Sequence, residues 1–409
     1  MDKYYDIVVV GAGPAGMMAA GAALEMGAKV LLLDKLTLPG KKLLITGKGR
    51  CNVTNNCDIQ GVLDNVPRNP RFLYSALNAF PPAQVMDFFE KRGVPLKTER
   101  GQRVFPVSDK AADIAACLKG YAAGADHAIG RVTKLCHNGE GITGVETTLG
   151  HVRTSRVILA TGGLSYPATG STGDGYAMAE EAGHSIVPPK ASLVPLKSDD
   201  GICRAAMGVS LRNVKVRFFE NGKCVNEEFG EMLFTHFGVS GPVILSGSAH
   251  FEKDDSEKWI TIDLKPALDE KKLDARLLRE FEENINRDVG NIARHLLPQS
   301  MTRPFLRRVG IAPDRKANSI TRLERERMIA EFKGMKLGIT GLRPVEEAIV
   351  TRGGVNTREV DPKTMASKKL AGLYFAGEIL DVDAYTGGYN IQIALATGRA
   401  AGRGASQSR

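Results

Sequence analysis

No two cysteines of this 409-residue chain stand in a C-x-x-C arrangement, and the six present (positions 51, 57, 117, 136, 203 and 224) follow no regular spacing. That excludes a disulfide-framed scaffold and a redox dithiol, and leaves free thiols in a reducing compartment. Histidines 127, 137, 151, 184, 250 and 295 form no metal-ligand spacing, so no metal is expected. Low-complexity tracts and internal repeats are absent. The one long uncharged stretch, Ile7 to Leu24, reaches 18 residues, the lower limit for a membrane span. Glycines at 11, 13, 16 and 21 and Pro14 suit a strand, a tight turn and a buried helix better. Asp2 and Asp6 also stand where an export signal would be basic. A cytoplasmic protein with no membrane contact is expected.

What is there belongs to a globular chain: 43% hydrophobic and 25% charged residues, enough for two or three packed units. The net charge is +9, and the excess is uneven. Between Arg303 and Lys336 ten basic residues face four acidic ones, so that segment alone carries +6. A basic patch of this kind suits a polyanion; solvated helix faces laced with ion pairs have the same composition.

Residues 6–10 read as a buried parallel strand, Met17–Met26 as an alanine-rich helix, and Lys29–Leu33 as a second strand ending at Asp34. A glycine-rich stretch follows at 39–55, then a largely helical region at 71–126. Strands return at 130–135, 142–149 and 156–160. Strand patterns at 193–264 include Val214–Phe219 and Trp259–Leu264. A charged helical segment, 266–336, is broken by Pro298, Pro304 and Pro313. The reading is an α/β protein with a nucleotide-binding domain from both chain ends, 1–190 and 341–409. A β-rich insert spans 191–265 and a helical basic insert spans 266–340.

Gly11-Ala-Gly13-Pro14-Ala15-Gly16 fits G-x-G-x-x-G between strand and helix. The first glycine permits the turn, the second admits a pyrophosphate to the backbone, and the third lets helix and strand pack closely. The helix N-terminus supplies amides and a positive dipole end. Asp34, 18 residues beyond Gly16, is placed to accept from ribose hydroxyls.

Three further segments select FAD over NAD. Arg156-Val-Ile-Leu-Ala160-Thr161-Gly162-Gly163 resembles the second nucleotide-contact segment of FAD-dependent oxidoreductases. Gly372-Leu-Tyr-Phe-Ala-Gly377-Glu378 resembles their terminal motif, whose acid meets the ribityl chain. Gly387-Gly388-Tyr389-Asn390 opens a helix, Ile391 to Ala401, whose positive end would favour an anionic reduced flavin. Other cofactor contacts are expected at Lys35, at Gly49 in the glycine-rich loop and at Val132 in the 130–135 strand.

With these segments assembled, the chain resembles the BaiN/RdsA-type family of bacterial NAD(P)/FAD-dependent oxidoreductases, from about residue 5 to 402. The most specific matches are Pro39-Gly-Lys-Lys-Leu-Leu-Ile-Thr-Gly-Lys-Gly-Arg-Cys-Asn-Val-Thr-Asn55 and Phe234-Thr-His-Phe-Gly-Val-Ser-Gly-Pro242, with Thr351-Arg-Gly-Gly-Val355 and the 377–402 tail. Thr172-Gly-Asp-Gly175 is more distantly similar to the fumarate reductase and aspartate oxidase flavoproteins. The resemblance implies a Rossmann-type FAD-binding domain with non-covalent FAD, a β-barrel-like insert and a helical insert. It also implies reduction of conjugated C=C bonds, in bile-acid intermediates or in a 23S ribosomal RNA uridine, or oxidation of aminoacetone. NAD(P)H would be a transient donor; with one glycine fingerprint, the donor either shares the substrate face or is another reductant.

In such an enzyme hydride moves at flavin N5, while the protein supplies orientation and usually one proton. Arg50, Cys51 and Asn52 are expected beside the flavin: Cys51 as a proton donor or a packed thiol, and Arg50 with Lys41 and Lys42 as ligands of pyrophosphate or a substrate oxygen. His236, in a glycine- and proline-rich loop, is an acid–base candidate or a structural hydrogen-bonder. Tyr385 and Tyr389 flank the turn into the last helix and either meet ring or substrate or simply pack. Arg103 is expected on the substrate side. The leading reading is hydride transfer from flavin to the activated C=C bond of a small or steroid-like molecule. The alternatives are the same chemistry on a ribosomal RNA uridine, an aminoacetone oxidase, and a non-catalytic flavin module.

Overall fold

Ile7–Val10 runs through the centre of a five-stranded sheet in the computed structural model, which describes residues 4–253 and 255–407. The strand order is Leu373–Phe375, Val157–Leu159, Ile7–Val10, Val30–Asp34 and Asp126–Ile129, with every neighbouring pair parallel. The three central strands are apolar up to Asp34 at the end of Val30–Asp34 because parallel sheets are covered on both faces. Helix Pro14–Glu25 begins on a proline, where a missing N–H costs nothing, and buries every residue from Ala15 to Ala23. It packs on the terminal helix Tyr389–Gln407 through glycine. A Cβ at Gly398 would stand 2.3 Å from the Ala15 carbonyl oxygen, and one at Gly402 would stand 2.2 Å from that of Ala19. Only glycine lets these backbones approach so closely, and the contact seats the C-terminal segment on the first helix.

Three smaller sheets complete this unit, which comprises the chain up to Ser192 and from Val345 onward. Val132–His137, Ile142–Thr147 and Gly150–Thr154 form an antiparallel meander, with Tyr4–Tyr5 added in parallel at its edge. Ile186–Ser192 pairs with Val350–Val355. The region expected to be largely helical does contain helices Tyr74–Ala79, Pro82–Glu90 and Ala111–Tyr121. Between them, however, Leu96–Glu99 and Arg103–Pro106 form a hairpin, which Thr54–Asn55 extends to three strands. The reason is local: Gly101 and Gln102 take φ of 75° and 58°, which no helix interior tolerates.

The second unit, Leu193–Pro344, is a seven-stranded antiparallel sheet with helices. Its order is Met335–Ile339, Lys258–Asp263, Ser210–Glu220, Lys223–Thr235, Gly238–Ser240, Leu196–Lys197 and Gly341–Leu342. The two edge strands are joined by Thr340 alone, so the sheet must curl back on itself; this is the barrel-like character. Helix Glu270–Glu283 buries Leu273, Leu277 and Phe281, one face at i, i+4 and i+8, and Asp269 caps it. Helix Arg322–Gly334 starts with a Thr321–Glu324 capping box. The helical stretch is not separate from the sheet. Its last strand, Met335–Ile339, lies within the sheet, and Phe305 and Phe332 share one core with Phe218 and Ile260.

Candidate cofactor site

The glycine turn is built from three backbone approaches. Gly11 has φ of 103°, and a Cβ there would meet the Ala160 carbonyl oxygen at 2.4 Å. A Cβ at Gly16 would fall 1.8 Å from the Gly11 oxygen, so the third glycine sets the packing of helix on strand, as expected. At Gly13 nothing lies within 4 Å: this glycine faces open space. Asp34 accepts from the Ala12 amide at 2.6 Å and from the Leu36 amide at 2.8 Å. The carboxylate therefore first fixes the turn beside the helix N-terminus at Pro14 and Ala15. Lys35 is bound to Asp174 at 2.9 Å and to Thr172, and Lys41 donates to the Ala168 carbonyl at 2.8 Å.

Two buried polar atoms in the segments expected to meet the cofactor have no partner among the described residues: Asn52 Oδ1 and Thr161 Oγ1. Such atoms cost about 1–3 kcal/mol each when left unsatisfied, and they belong to the expected flavin-facing loop and the Ala160-Thr161-Gly162 segment. A nearby helix, Asp174–Glu181, carries a third such atom, the Tyr176 hydroxyl. A ligand with hydrogen-bonding groups accounts for orphans of this kind. Together with the open side of Gly13 they fit a bound dinucleotide.

Glu378 is clamped rather than free. Lys42 donates to its Oε2 at 2.6 Å, while Ser165 Oγ and the Thr351 amide donate to Oε1 at 2.9 and 2.8 Å. Residues beyond it are tied to the N-terminal segments. Thr54 Oγ1 donates to Gln392 Oε1 at 2.7 Å, Asn55 donates to the Gly387 carbonyl at 3.1 Å, and Arg68 holds Asp383 through both oxygens at 3.0 and 3.1 Å. Ser192 Oγ donates to Asp383 at 2.6 Å. A Cβ at Gly388 would lie 2.3 Å from the Thr54 oxygen. Asn390 spans its own turn, accepting from the Ala384 amide at 2.9 Å and donating to that carbonyl at 2.6 Å.

Ser165, Thr351, Gln392 and the Arg68–Asp383 pair were not anticipated. Acids at 381 and 383 between Leu380 and Ala384 were the available signal, since buried carboxylates require partners.

The remaining candidates have surroundings of their own. Arg50 is held by side chains of its own unit. It is paired with Glu99 and, at 2.7 Å, with Asp109, and it stacks 4.1 Å from the Phe105 ring centre. Two carboxylates and an aromatic face hold it. Cys51 is fully buried at φ 61°, and burial pushes its thiol up to about 12, which leaves it a packed side chain and a poor acid. Arg103 is exposed and donates to the Arg100 carbonyl at 3.0 Å. Gly49 lies in the same loop at φ 84°, and Val132 is buried in its strand opposite Thr147. Tyr385 is half-buried; Tyr389 is buried, which pushes its hydroxyl up to about 12. Ile391 follows in the last helix and packs against the core. His236 belongs to the other unit, exposed on the two-residue turn between Lys223–Thr235 and Gly238–Ser240, with Phe237 beside it. Spacing along the chain disclosed no metal ligands, yet antiparallel register brings Cys136, Glu146 and His151 together.

Known folds and sequences give this geometry a class. The fold is shared with a 3-ketosteroid Δ1-dehydrogenase from Sterolibacterium denitrificans in complex with 1,4-androstadiene-3,17-dione: TM-score 0.54 and 13% identity over 99% of this chain and 100% of that one. It is shared too with a quinol–fumarate reductase, at TM-score 0.53 and 16% identity over 100% of this chain and 71% of the other. This is a Rossmann-type FAD-binding fold. The chain belongs to the family described as HI0933-like protein Rossmann domain, matched over residues 5–404, and is an FAD-dependent oxidoreductase. It is 31% identical to a 3-dehydro-bile acid Δ(4,6)-reductase of Clostridium scindens, over 98% of this chain and 99% of that protein. It is 30% identical to the ribosomal RNA dihydrouridine synthase of Escherichia coli K12, over 95% and 94% of the two chains. Among the described residues no helix is long and apolar enough to cross a membrane.

Proposed function

We propose that this protein reduces a C=C bond conjugated to a carbonyl in a small, steroid-like molecule. FAD would be held non-covalently by the Gly11–Gly16 turn, Asn52, Thr161, the Lys42–Glu378 pair and the Tyr389 helix. When bound, the flavin supplies the hydride, at N5. The chain's own part is to hold and orient. The open side of Gly13 and the first helix N-terminus receive pyrophosphate, and Asn52 Oδ1 and Thr161 Oγ1 gain their missing partners. The positive end of helix Tyr389–Gln407 favours negative charge beside it. With Cys51 buried, the proton falls to a more accessible group of the same unit, Tyr385. NAD(P)H is the proposed electron donor.

The observation that favours a small substrate over RNA is the state of the basic segment. Six of its ten cations are spent on carboxylates of the same unit: Arg308 on Glu331 and Asp200, Arg315 on Glu324, Lys316 on Asp288, Arg322 on Glu326, Arg325 on Asp274 and Lys333 on Asp263. A surface neutralised in this way has little charge left to displace phosphate counterions. The bile-acid reductase relative points the same way. The Escherichia coli relative supports the second reading, the same reduction on a ribosomal RNA uridine.

The test is anaerobic reduction of the flavoprotein, then reoxidation by a steroid dienone, by a uridine-containing ribosomal RNA fragment, or by oxygen with aminoacetone as the reducing substrate. Rapid reoxidation by the dienone, with recovery of the saturated product, is expected. Turnover with the RNA fragment alone, weakening steeply with salt, would transfer the assignment to RNA. Peroxide formation driven by aminoacetone without alkene reduction would make the protein an oxidase.

A further inference from the structure

The antiparallel meander of the first unit carries a side-chain cluster that the reductase chemistry does not use. On the strands Val132–His137, Ile142–Thr147 and Gly150–Thr154, Glu146 lies directly opposite His151 and Cys136 lies opposite Gly144. Residues 144 and 146 of the middle strand point to one face, so Cys136, Glu146 and His151 share it. Gly144 is what lets them meet. A Cβ there would stand 2.7 Å from His151 Cε1, so the imidazole leans over the gap that this residue leaves. His151 Nδ1 reaches Glu146 Oε1 at 2.9 Å, and Cys136 Sγ lies 3.8 Å from the same oxygen. One sulfur, one nitrogen and one oxygen donor thus stand within 4.8 Å of one another.

We infer that Cys136, Glu146 and His151 form a binding site for a borderline-soft divalent cation of the zinc class. Three mixed donors of this kind are what tetrahedral zinc takes, with bonds of about 2.0–2.3 Å. At those lengths neighbouring donors stand about 3.3–3.8 Å apart, and the Glu146–His151 and Glu146–Cys136 separations lie close to that span. His151 is exposed while Cys136 and Glu146 are half-buried, so the fourth position opens to water and the site exchanges its metal. Binding turns the Cys136 thiol into a thiolate ligand and sends its proton to solvent, with no redox change. The ammonium of Lys134, opposite Glu146 in the sheet, opposes a cation and keeps the site weaker than a closed structural one.

Zinc titrated into the FAD-loaded protein, in competition with a chromophoric chelator, tests this directly. One equivalent should bind and shield Cys136 from iodoacetamide, with Cys224, exposed in the other unit, as the unshielded reference. Cys136→Ser and His151→Ala should each weaken zinc at least tenfold while the flavin spectrum and melting temperature stay unchanged. Zinc affinity that is the same in both variants, or alkylation of Cys136 that zinc does not slow, would overturn the assignment. Because the readouts are metal affinity and thiol protection, they are independent of whether the flavin site reduces steroids or RNA.

Discussion

Lys42 donates to Glu378 across 2.6 Å, joining residues 336 positions apart in the chain. Both side chains are about four-fifths covered, so each would be costly to leave alone. Lys42→Met is expected to lower stability by about 1–3 kcal/mol, the penalty for a stranded partly buried acceptor, and to release flavin. The double variant Lys42→Met/Glu378→Gln should recover part of that loss. A double-mutant cycle on thermal unfolding measures it, and strictly additive effects would mean that the two residues act separately.

Gly13 and Gly16 differ in what surrounds them, and that separates folding from cofactor binding. Gly13 sits at φ −74°, which any residue adopts, with no atom within 4 Å of its missing Cβ. Gly13→Ala should therefore leave the apoprotein within about 0.5 kcal/mol of its original stability while weakening FAD at least tenfold. Gly16→Ala, which drives a methyl into the Gly11 carbonyl, should damage both. Urea midpoints of the apoprotein and flavin fluorescence on titration distinguish the cases. Unaltered FAD affinity in Gly13→Ala would place the pyrophosphate elsewhere.

The parts of the molecule legible in the sequence are those fixed by short-range chemistry. Ile7–Val10, the glycine turn and Asp34 announce themselves because strand, turn and helix each impose residue types within 29 positions. The terminal helix could be placed from its glycines, although it runs farther than expected, to Gln407. The contents of 96–106 were misread because a turn set by Gly101 and Gln102 interrupts an otherwise helical composition. Arg50 looked like a phosphate ligand because its sequence neighbours are lysines and glycines. Its partners Glu99 and Asp109 lie 49 and 59 residues away and come beside it only through the hairpin. The Cys136–Glu146–His151 cluster escaped for the same reason, since strand register rather than chain spacing assembles it.

Cys51 offers a decisive test of its two readings. Burial raises its thiol from an ordinary value of 9 to about 12, so it stays protonated through the neutral range. The folded state holds this proton more tightly than the unfolded chain does. The contribution to stability is thus complete below pH 9 and is lost as the pH climbs toward 12. Cys51→Ala should cost about 1 kcal/mol from lost packing, flatten that alkaline decline and leave turnover near its original value. A tenfold slower substrate reduction with flavin still bound would restore Cys51 as the proton donor.

Glu324 carries the opposite sign. The Arg315 guanidinium, with the Thr321 amide and hydroxyl, holds its carboxyl down from 4.5 to about 2. The unfolded chain therefore takes up this proton first as acid is added. The stabilisation is fully present above pH 4.5 and disappears as the pH falls toward 2. Glu324→Gln removes the ion pair with Arg315 and leaves an amide oxygen that can still accept from the Thr321 amide in the capping box that starts Arg322–Gly334. At neutral pH it should cost about 1–2 kcal/mol, near the range of a hydrogen bond to a charged group. Denaturant unfolding of the two proteins should then converge as the pH drops below 4.5. A gap that stays constant down to the acid limit would show that Glu324 acts through helix geometry alone, and that Arg315 contributes no charge pairing to the fold.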